Sequence, residues 1–269
     1  MRFGYRVRRY DLREPLVEKL VCNGFAHLEW DWRWSGDGYS PVPSVEELNY
    51  AKDICSQYGL SISIAGPNGI SIAEKVVPLR KVSIGLWKEI YLASKFLEAK
   101  WLVLELGSAG FKSEDSAKKR ERVSIAKDAI GDIIQNTEDG PLLLIENMRK
   151  LPEGSLKCYL GDDATDLLYC IDGLVDRCGL IFDTGHALIG ENPEQCFNLL
   201  KSSIKAFHVH TNNRISDIHR ALTREDISVN GDYWTSVINL IHLGVPAVLE
   251  IDSLSAALQT KQLITEYRS

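Results

Sequence analysis

The stretch GLIFDTGHALIG, from Gly179 to Gly190, opens as a short apolar run and then breaks into the polar sequence DTGH. Short apolar runs bounded by glycine are typical of strands buried in a parallel sheet. An aspartate at the end of such a strand is costly to bury unless it is paired or binds a metal ion. The stretch therefore predicts a buried strand that ends on a functional side chain, Asp183.

Three other apolar runs end in the same way. LLLIEN carries Glu146, AFHVHTN carries His210 and VPAVLEID carries Glu250. Alternate side chains of a strand face the same side, so each of these groups continues a face that is otherwise mainly apolar. His208 shares that face with His210, and we expect it to be a hydrogen-bonded core histidine. The four strand ends together predict one shared site.

Strand-like and helical segments alternate eight times along the 269 residues. We predict an α/β fold, a closed (β/α)8 TIM barrel in which residues 1–269 form a single domain. Even repeats and the absence of a glycine-rich dinucleotide fingerprint favour closure over a doubly wound sheet. Two of the predicted helices run from Trp87 to Ala99 and from Lys112 to Gln135. Active sites of such barrels lie at the carboxyl ends of the strands, where the four groups are expected.

The composition of the chain argues against a nucleic-acid-binding, membrane-spanning or secreted protein. A net charge of -6 argues against nucleic acid as a partner. No run approaches the roughly 20 apolar residues of a membrane span, and the arginine-containing opening lacks the apolar core of a signal peptide. The six cysteines form no C-x-x-C pair, which indicates reduced, buried thiols and a cytoplasmic location. Exposed barrel helices often pair, so a homo-oligomer is compatible with the sequence.

Three carboxylates and an imidazole on one rim require a cation. Their oxygen-rich set suits Mn²⁺, Mg²⁺, Co²⁺ or Zn²⁺, and the predicted ligands are Glu146, Asp183, His210 and Glu250. A metal that polarises a carbonyl and a neighbouring hydroxyl makes the adjacent C–H acidic. One glutamate, Glu146 or Glu250, would then remove the proton and the other would return it. This is the chemistry of sugar isomerisation or epimerisation through an enediolate.

The chain resembles the xylose isomerase-like barrel superfamily over essentially its whole length. The specific parts are LLLIEN, IFDTGHA, FHVHTNN with Asp217-Ile-His219, and VLEI. Sugar isomerases and epimerases of the tagatose 3-epimerase type and endonuclease IV are its best-known branches. The resemblance implies metal binding by Glu146, Asp183, His210 and Glu250, acid/base roles for Glu146 and Glu250, and a place near the substrate for His186.

Departures from the endonuclease IV branch are informative. That branch has histidines at the ends of strands three and four, where this chain has Ala65–Pro67 and Glu105–Gly107. A trinuclear zinc site would lose two nitrogen ligands. Asp217 and His219 nevertheless have a spacing typical of that branch's third-metal ligands.

Four residues are candidate substrate contacts: His186, His219, Glu105 and Trp32. Glu105 would contact a sugar hydroxyl or hold a second cation, and His219 is equally explained by loop structure. Trp32 would form an apolar wall for a sugar ring, although packing against a helix explains it as well.

Charged residues beside these positions leave further alternatives open. Glu29 and Asp31 either reach the pocket or pair with Arg6 or Arg8. Arg149 either binds a phosphate or carboxylate on the substrate or is solvated in a loop.

The first functional hypothesis is a metal-dependent sugar or sugar-phosphate isomerase or epimerase, whose partner is a small-molecule sugar. The second is a multi-metal phosphodiesterase, an AP endonuclease of the endonuclease IV type. The third is a sugar-binding barrel without turnover. One metal ion per chain favours the first hypothesis and three favour the second. The sequence does not identify the sugar.

Overall fold

Eight parallel strands close into a barrel in the computed structural model, which describes residues 2–33, 40–109, 116–135, 139–152, 154–190 and 192–267. The strands are β1 Phe3–Arg8, β2 His27–Asp31, β3 Ser61–Ala65, β4 Trp101–Leu104, β5 Leu142–Glu146, β6 Cys178–Asp183, β7 Ile204–Val209 and β8 Ala247–Leu249. Each strand pairs with the next, and β1 pairs with β8 where Tyr5 lies opposite Leu249. The predicted (β/α)8 barrel is confirmed.

Helices alternate with the strands in the described part of the chain. They are α1 Glu14–Cys22, α2 Val45–Gln57, α3 Val77–Phe96, α4 Ser116–Ile134, α5 Ala164–Ile171, α6 Thr184–Ile189, α7 Pro193–Leu200, α8 Arg224–Val229, α9 Gly231–His242 and α10 Leu254–Glu266. The start of α2 shows how local sequence sets these bounds. The Ser44 hydroxyl accepts the N–H of Glu47, whose carboxylate accepts the N–H of Ser44 in return, which is a capping box.

Some helix bounds differ from the sequence prediction. Helix α3 begins at Val77, ten residues before the predicted Trp87, because Pro78 fits the first turn of a helix, where its missing N–H costs nothing. The predicted start at Lys112 lies outside the described residues. Helices α6 and α8 were not predicted, since each has only six residues.

The inside of the barrel has a small apolar layer of its own. Its residues come from β4 to β8 and are Trp101, Val103, Leu144, Ile181, Ala206 and Val248. A much larger apolar cluster lies between the strands and the helices and includes the fully buried Trp87 and Trp234. Both layers hold the strands rigidly, so the side chains at their carboxyl ends have fixed positions.

Polar side chains also reach deep into the barrel, which the alternation of apolar residues does not predict. His27 lies between the hydroxyls of Ser61 and Ser63, at 2.8 Å from each, and stacks on Trp101. Its burial lowers the pKa of His27 to about 4. A Cβ on Gly4 would lie 2.8 Å from Cδ2 of His27, so glycine leaves the room that this ring needs.

Two broader features of the chain are also visible. None of the helices in the described ranges is long and apolar enough to cross a membrane. All six cysteines are free, and four of them are buried, whereas Cys22 is exposed and Cys196 is half-buried. The prediction of buried thiols therefore holds for four of the six.

Candidate functional site

One cluster of ligand-type side chains lies at the carboxyl ends of β5 to β8. Ligand atoms of Glu146, Asp183, His208 and Glu250 all lie within 4.8 Å of one another, and all four residues are buried. His208 Nδ1 lies 2.9 Å from Oε1 of Glu146 and 3.0 Å from Oε2 of Glu250. The two glutamates predicted to exchange a proton therefore converge on one imidazole nitrogen.

A second cluster lies beside the first. Ligand atoms of His210, Asp217 and His219 are also within 4.8 Å of one another. The rings of His210 and His219 stack with centroids 4.2 Å apart and an angle of 8° between them. His210 Nε2 lies 3.0 Å from Oδ1 of Asp183, so Asp183 joins the two clusters. The predicted ligand set is thus divided, with His210 in the second cluster and His208 in the first.

Local sequence fixes Asp183 and His210. The Asn147 amide pairs with the backbone of Asp183 in both directions, at 2.7 and 3.0 Å. The Asp183 carboxylate accepts the N–H of His186 at 2.7 Å and so begins helix α6. A Cβ on Gly185 would lie 1.9 Å from Cε1 of His210. The DTGH sequence therefore supplies the carboxylate, its orientation and the space for a neighbouring imidazole.

Two arginines bind the carboxylate of Glu250. The guanidinium groups of Arg6 and Arg33 both donate to its Oε1 atom, and Arg33 also donates to Asp31 at 3.0 Å. Burial alone would raise the pKa of Glu250, but Arg33 and Arg6 hold it well below its usual range. Glu250 is therefore an ionised carboxylate despite its full burial.

His186 is predicted to lie near the substrate, and it is held at the mouth of the barrel by two acceptors. Its Nδ1 lies 2.8 Å from the carbonyl oxygen of Asn147, and its Nε2 lies 3.2 Å from Oδ2 of Asp217. Burial would lower the pKa of His186, but Asp183 and Asp217 raise it to about 10. Arg149 donates to the same Oδ2 of Asp217 at 2.8 Å, so Asp217 holds both cations at the rim.

A cavity of about 360 Å³ opens above these groups. Its walls include three of the four predicted substrate contacts, which are His186, His219 and Glu105. The fourth, Trp32, is fully buried and packs edge-on against Trp30, with ring centroids 5.4 Å apart. Its contact with a substrate stays a prediction.

Glu105 is an unusual carboxyl group in the wall of this cavity. Burial and the nearby Glu146 raise its pKa to about 7. Glu105 therefore titrates near neutral pH, in the range where a proton donor or acceptor is most useful.

Glu29 lies beneath the site, which agrees with the first of its two predicted alternatives, although its contact with His208 was not predicted. Its Oε1 lies 2.7 Å from Nε2 of His208, and its Oε2 accepts hydrogen bonds from Ser63 and the Trp101 indole at 3.1 Å. The expected alternative, a pair with Arg6 or Arg8, applies to Asp31, which lies 3.8 Å from Arg6. The sequence pattern that indicates this position is the alternation of His27, Glu29 and Asp31 along β2, which places all three side chains inside the barrel.

The residues present fit a divalent cation. Three buried polar atoms at the mouth form no hydrogen bond within the described ranges: His210 Nδ1, Asp217 Oδ1 and Glu250 Oε2, the last of which has only its charge contact with His208 Nδ1 at 3.0 Å. Unpaired buried atoms are costly, and a carboxylate- and imidazole-rich set is what first-row divalent ions bind. A metal ion at this rim would give such atoms a partner.

The sequence of the chain matches a known protein family. A model of the family described as xylose isomerase-like TIM barrel matches residues 17–263. No sequence among the curated proteins matches the chain significantly.

Solved structures share the fold at low sequence identity. A D-tagatose 3-epimerase-like protein has a TM-score of 0.78 at 20% identity, covering 99% of this chain and 97% of that protein. D-psicose 3-epimerase with D-tagatose from Clostridium cellulolyticum has a TM-score of 0.70 at 12% identity, with coverage of 99% and 97%. Endonuclease IV from Thermus thermophilus has a TM-score of 0.67 at 12% identity, with coverage of 98% of each chain.

Proposed function

Since the chain belongs to the xylose isomerase-like TIM barrel family, we propose that it is a divalent-metal-dependent isomerase or epimerase of a sugar or sugar phosphate. The observation that carries the proposal is the convergence of Glu146 and Glu250 at the barrel mouth, with both carboxylates in contact with His208 Nδ1. Two carboxylates placed this closely suit a proton that is removed on one side of a carbon and returned on the other.

Glu146, Asp183, His210 and Glu250 would hold the metal ion, as the sequence pattern implies. When bound, the ion polarises a carbonyl and its neighbouring hydroxyl and so makes the adjacent C–H acidic. Mn²⁺, Zn²⁺, Co²⁺ and Mg²⁺ all suit this donor set.

The protein's own groups move the proton and orient the sugar. Glu250, which is ionised, would take the proton from the carbon to give an enediolate, and Glu146 would return a proton to it. His186, His219 and Glu105 line the cavity at the level where sugar hydroxyls would lie. Support also comes from the structural neighbours named for D-tagatose 3-epimerase and D-psicose 3-epimerase activity, one of them with D-tagatose.

The test is exchange of substrate hydrogen with solvent deuterium. Purified protein loaded with Mn²⁺ is incubated in D₂O with a panel of ketoses and their phosphates, and deuterium at the carbon beside the carbonyl is measured. Glu146→Gln and Glu250→Gln should each lower exchange by about 10²–10⁴-fold, because each removes a proton-transfer group.

The matched control is Glu89→Gln, which makes the same change at an exposed position of α3. It should exchange at the rate of the unaltered protein. Full exchange by either mouth variant would exclude the acid/base assignment.

One observation favours a second candidate, a metal-dependent phosphodiesterase of the endonuclease IV type. The cluster of His210, Asp217 and His219 offers a further set of ligands beside the first cluster. Positions 65–67 and 105–107 lack the histidines of that branch, which weighs against three ions. Metal content separates the candidates, because the isomerase is expected to retain one ion per chain and the phosphodiesterase three.

A further inference from the structure

We propose that the substrate carries an anionic group, a carboxylate or a phosphate, and that Arg6, Arg33 and Arg149 bind it. The inference rests on the proposed function and deepens it by naming the class of sugar. It follows from the arginines that surround the cavity and from what two of them contact.

Arginine dominates the wall of the cavity. Five arginines line it, against three carboxylates, which are Asp31, Glu105 and Asp217. All five have a carboxylate partner, but two of them are bound at the edge of the site. Arg9 makes a two-pronged contact with Glu47, and Arg8 pairs with Asp252. The other three, Arg6, Arg33 and Arg149, have partners that belong to the site itself, which are Glu250, Asp31 and Asp217.

Arg6 and Arg33 are nearly buried, with side chains 10% and 16% exposed. A guanidinium group in such a place needs an anionic partner, because its desolvation is otherwise costly. Both groups meet that need through one atom, Oε1 of Glu250, and Arg33 also has Asp31. A neutral sugar requires no such pair of permanent cations.

A metal ion on Glu250 would add a third positive charge to this carboxylate. Both guanidinium groups bind Oε1 and leave Oε2 for the metal, but the three positive charges would repel one another. An anionic group on the substrate reduces this repulsion, since it gives the arginines a further partner. The planar guanidinium fork matches carboxylate and phosphate oxygens in two-pronged contacts.

Arg149 supplies a further cation from the loop after β5. It donates to Asp217 at 2.8 Å, its guanidinium carbon lies 5.6 Å from the centre of the Tyr159 ring, and its side chain is 32% exposed. It lies in the wall of the cavity, where an anionic ligand can share the guanidinium group with Asp217. The volume of about 360 Å³ admits a monosaccharide with one charged group.

The test compares matched neutral and anionic ligands by isothermal titration calorimetry, on metal-free protein and on protein loaded with Mn²⁺. The pairs are D-fructose with D-fructose 1-phosphate, and D-tagatose with D-tagaturonate. At least one anionic member should bind ten or more times as tightly as its neutral partner, and the preference should grow on loading with Mn²⁺. The pair that shows the preference identifies phosphate or carboxylate as the anion.

The variants Arg6→Gln, Arg33→Gln and Arg149→Gln should each reduce this preference by fivefold or more without weakening the neutral ligand equally. Arg33→Lys keeps the positive charge and loses the planar, two-pronged geometry of guanidinium. Its preference for the anionic ligand should therefore lie between that of Arg33→Gln and that of the unaltered protein. Arg224→Gln, an exposed change on α8, is the matched control and should keep the full preference. Circular dichroism checks that each variant is folded.

Equal affinity for both members of both pairs in the unaltered protein would overturn the inference, even if no variant folds. So would a preference that survives Arg6→Gln and Arg33→Gln. Anion preference without deuterium exchange would overturn the proposed function alone. Exchange on a neutral ketose without anion preference would overturn this inference alone.

Discussion

Nε2 of His208 lies 2.7 Å from Oε1 of Glu29 in the interior of the barrel, and its other nitrogen contacts both Glu146 and Glu250. Burial disfavours charge on either partner, but their mutual attraction lowers the pKa of Glu29 and raises the pKa of His208 well above its ordinary value. The imidazolium of His208 therefore links a carboxylate deep in the barrel to the two glutamates at its mouth.

Replacing Glu29 by glutamine keeps the shape of the side chain and removes its charge. We expect the free energy of unfolding to fall by about 3–5 kcal/mol, because the change leaves a buried cation without one of its partners. Urea denaturation measures the loss. Ser63→Ala, which removes a hydrogen bond to the Glu29 carboxylate and the contact with His27 but leaves the charge pair in place, should cost less, about 1.5–3 kcal/mol. Equal losses in the two variants would show that the charge pair is unimportant.

Gly185→Ala should weaken metal binding. The added Cβ would lie 1.9 Å from Cε1 of His210 and 2.3 Å from its Nδ1, so the ring must move. We expect affinity for Mn²⁺ to fall at least tenfold, as measured by calorimetry. Gly131→Ala is the control, since a Cβ there meets no atom within 4 Å and lies in helix α4. Unchanged affinity in Gly185→Ala would argue against His210 as a ligand.

Glu105 should make the metal-free protein less stable as the pH rises. Its pKa is about 7 in the folded chain and near 4.5 in the unfolded chain. Folding therefore favours the neutral form of Glu105. The stabilisation that results is fully present below pH 4.5 and is lost as the pH rises through 7. The slope from this one group cannot exceed about 1.4 kcal/mol per pH unit.

Denaturant unfolding of the chelator-treated protein between pH 4.5 and pH 8 measures this loss. Glu105→Gln should remove that part of the pH dependence and make the protein more stable than the unaltered chain at pH 8. An identical pH profile for both proteins would contradict the expected shift.

Divalent metal should stabilise the folded chain. At a free concentration 100 times its dissociation constant, a ligand that binds only the folded state adds about 2.7 kcal/mol to the free energy of unfolding. Mn²⁺ should therefore raise the melting temperature after treatment with EDTA, and Asp183→Asn should abolish the increase. A stabilisation that persists in Asp183→Asn would place the ion elsewhere.

The fold was predictable because its signal repeats along the chain. Strands β4 to β8 are short, mainly apolar runs, and alternation places the polar side chains at the ends of β5 to β8 on the inside of the barrel. The same rule brought Glu146, Asp183 and Glu250 together correctly, since all three lie in one cluster. Alternation does not, however, indicate how deep in the barrel a side chain lies. His208 and His210 share a face, and only the three-dimensional structure separates them into different clusters.

The contacts of Arg6 and Arg33 with Glu250 could not be predicted from local sequence patterns. Arg33 follows the end of β2 and meets Glu250, which is 217 positions away along the chain, and no periodicity links the two. The role of Trp32 was hard to predict for a different reason. A tryptophan at a strand end suits a sugar-binding wall as well as a core position, and the packing of Trp30 and Trp32 becomes visible only once the chain is folded.

The pairing of β1 with β8 has a consequence for how the protein is made. Glu250 follows the last strand of the barrel, whereas Arg6 belongs to the first, so this contact spans 244 positions. During synthesis the first strand has an unpaired edge until the eighth strand emerges from the ribosome, and such edges are prone to aggregation. Closure of the ring and completion of the mouth are consequently one late event, so we expect the yield during expression to depend on the temperature of growth and on chaperones.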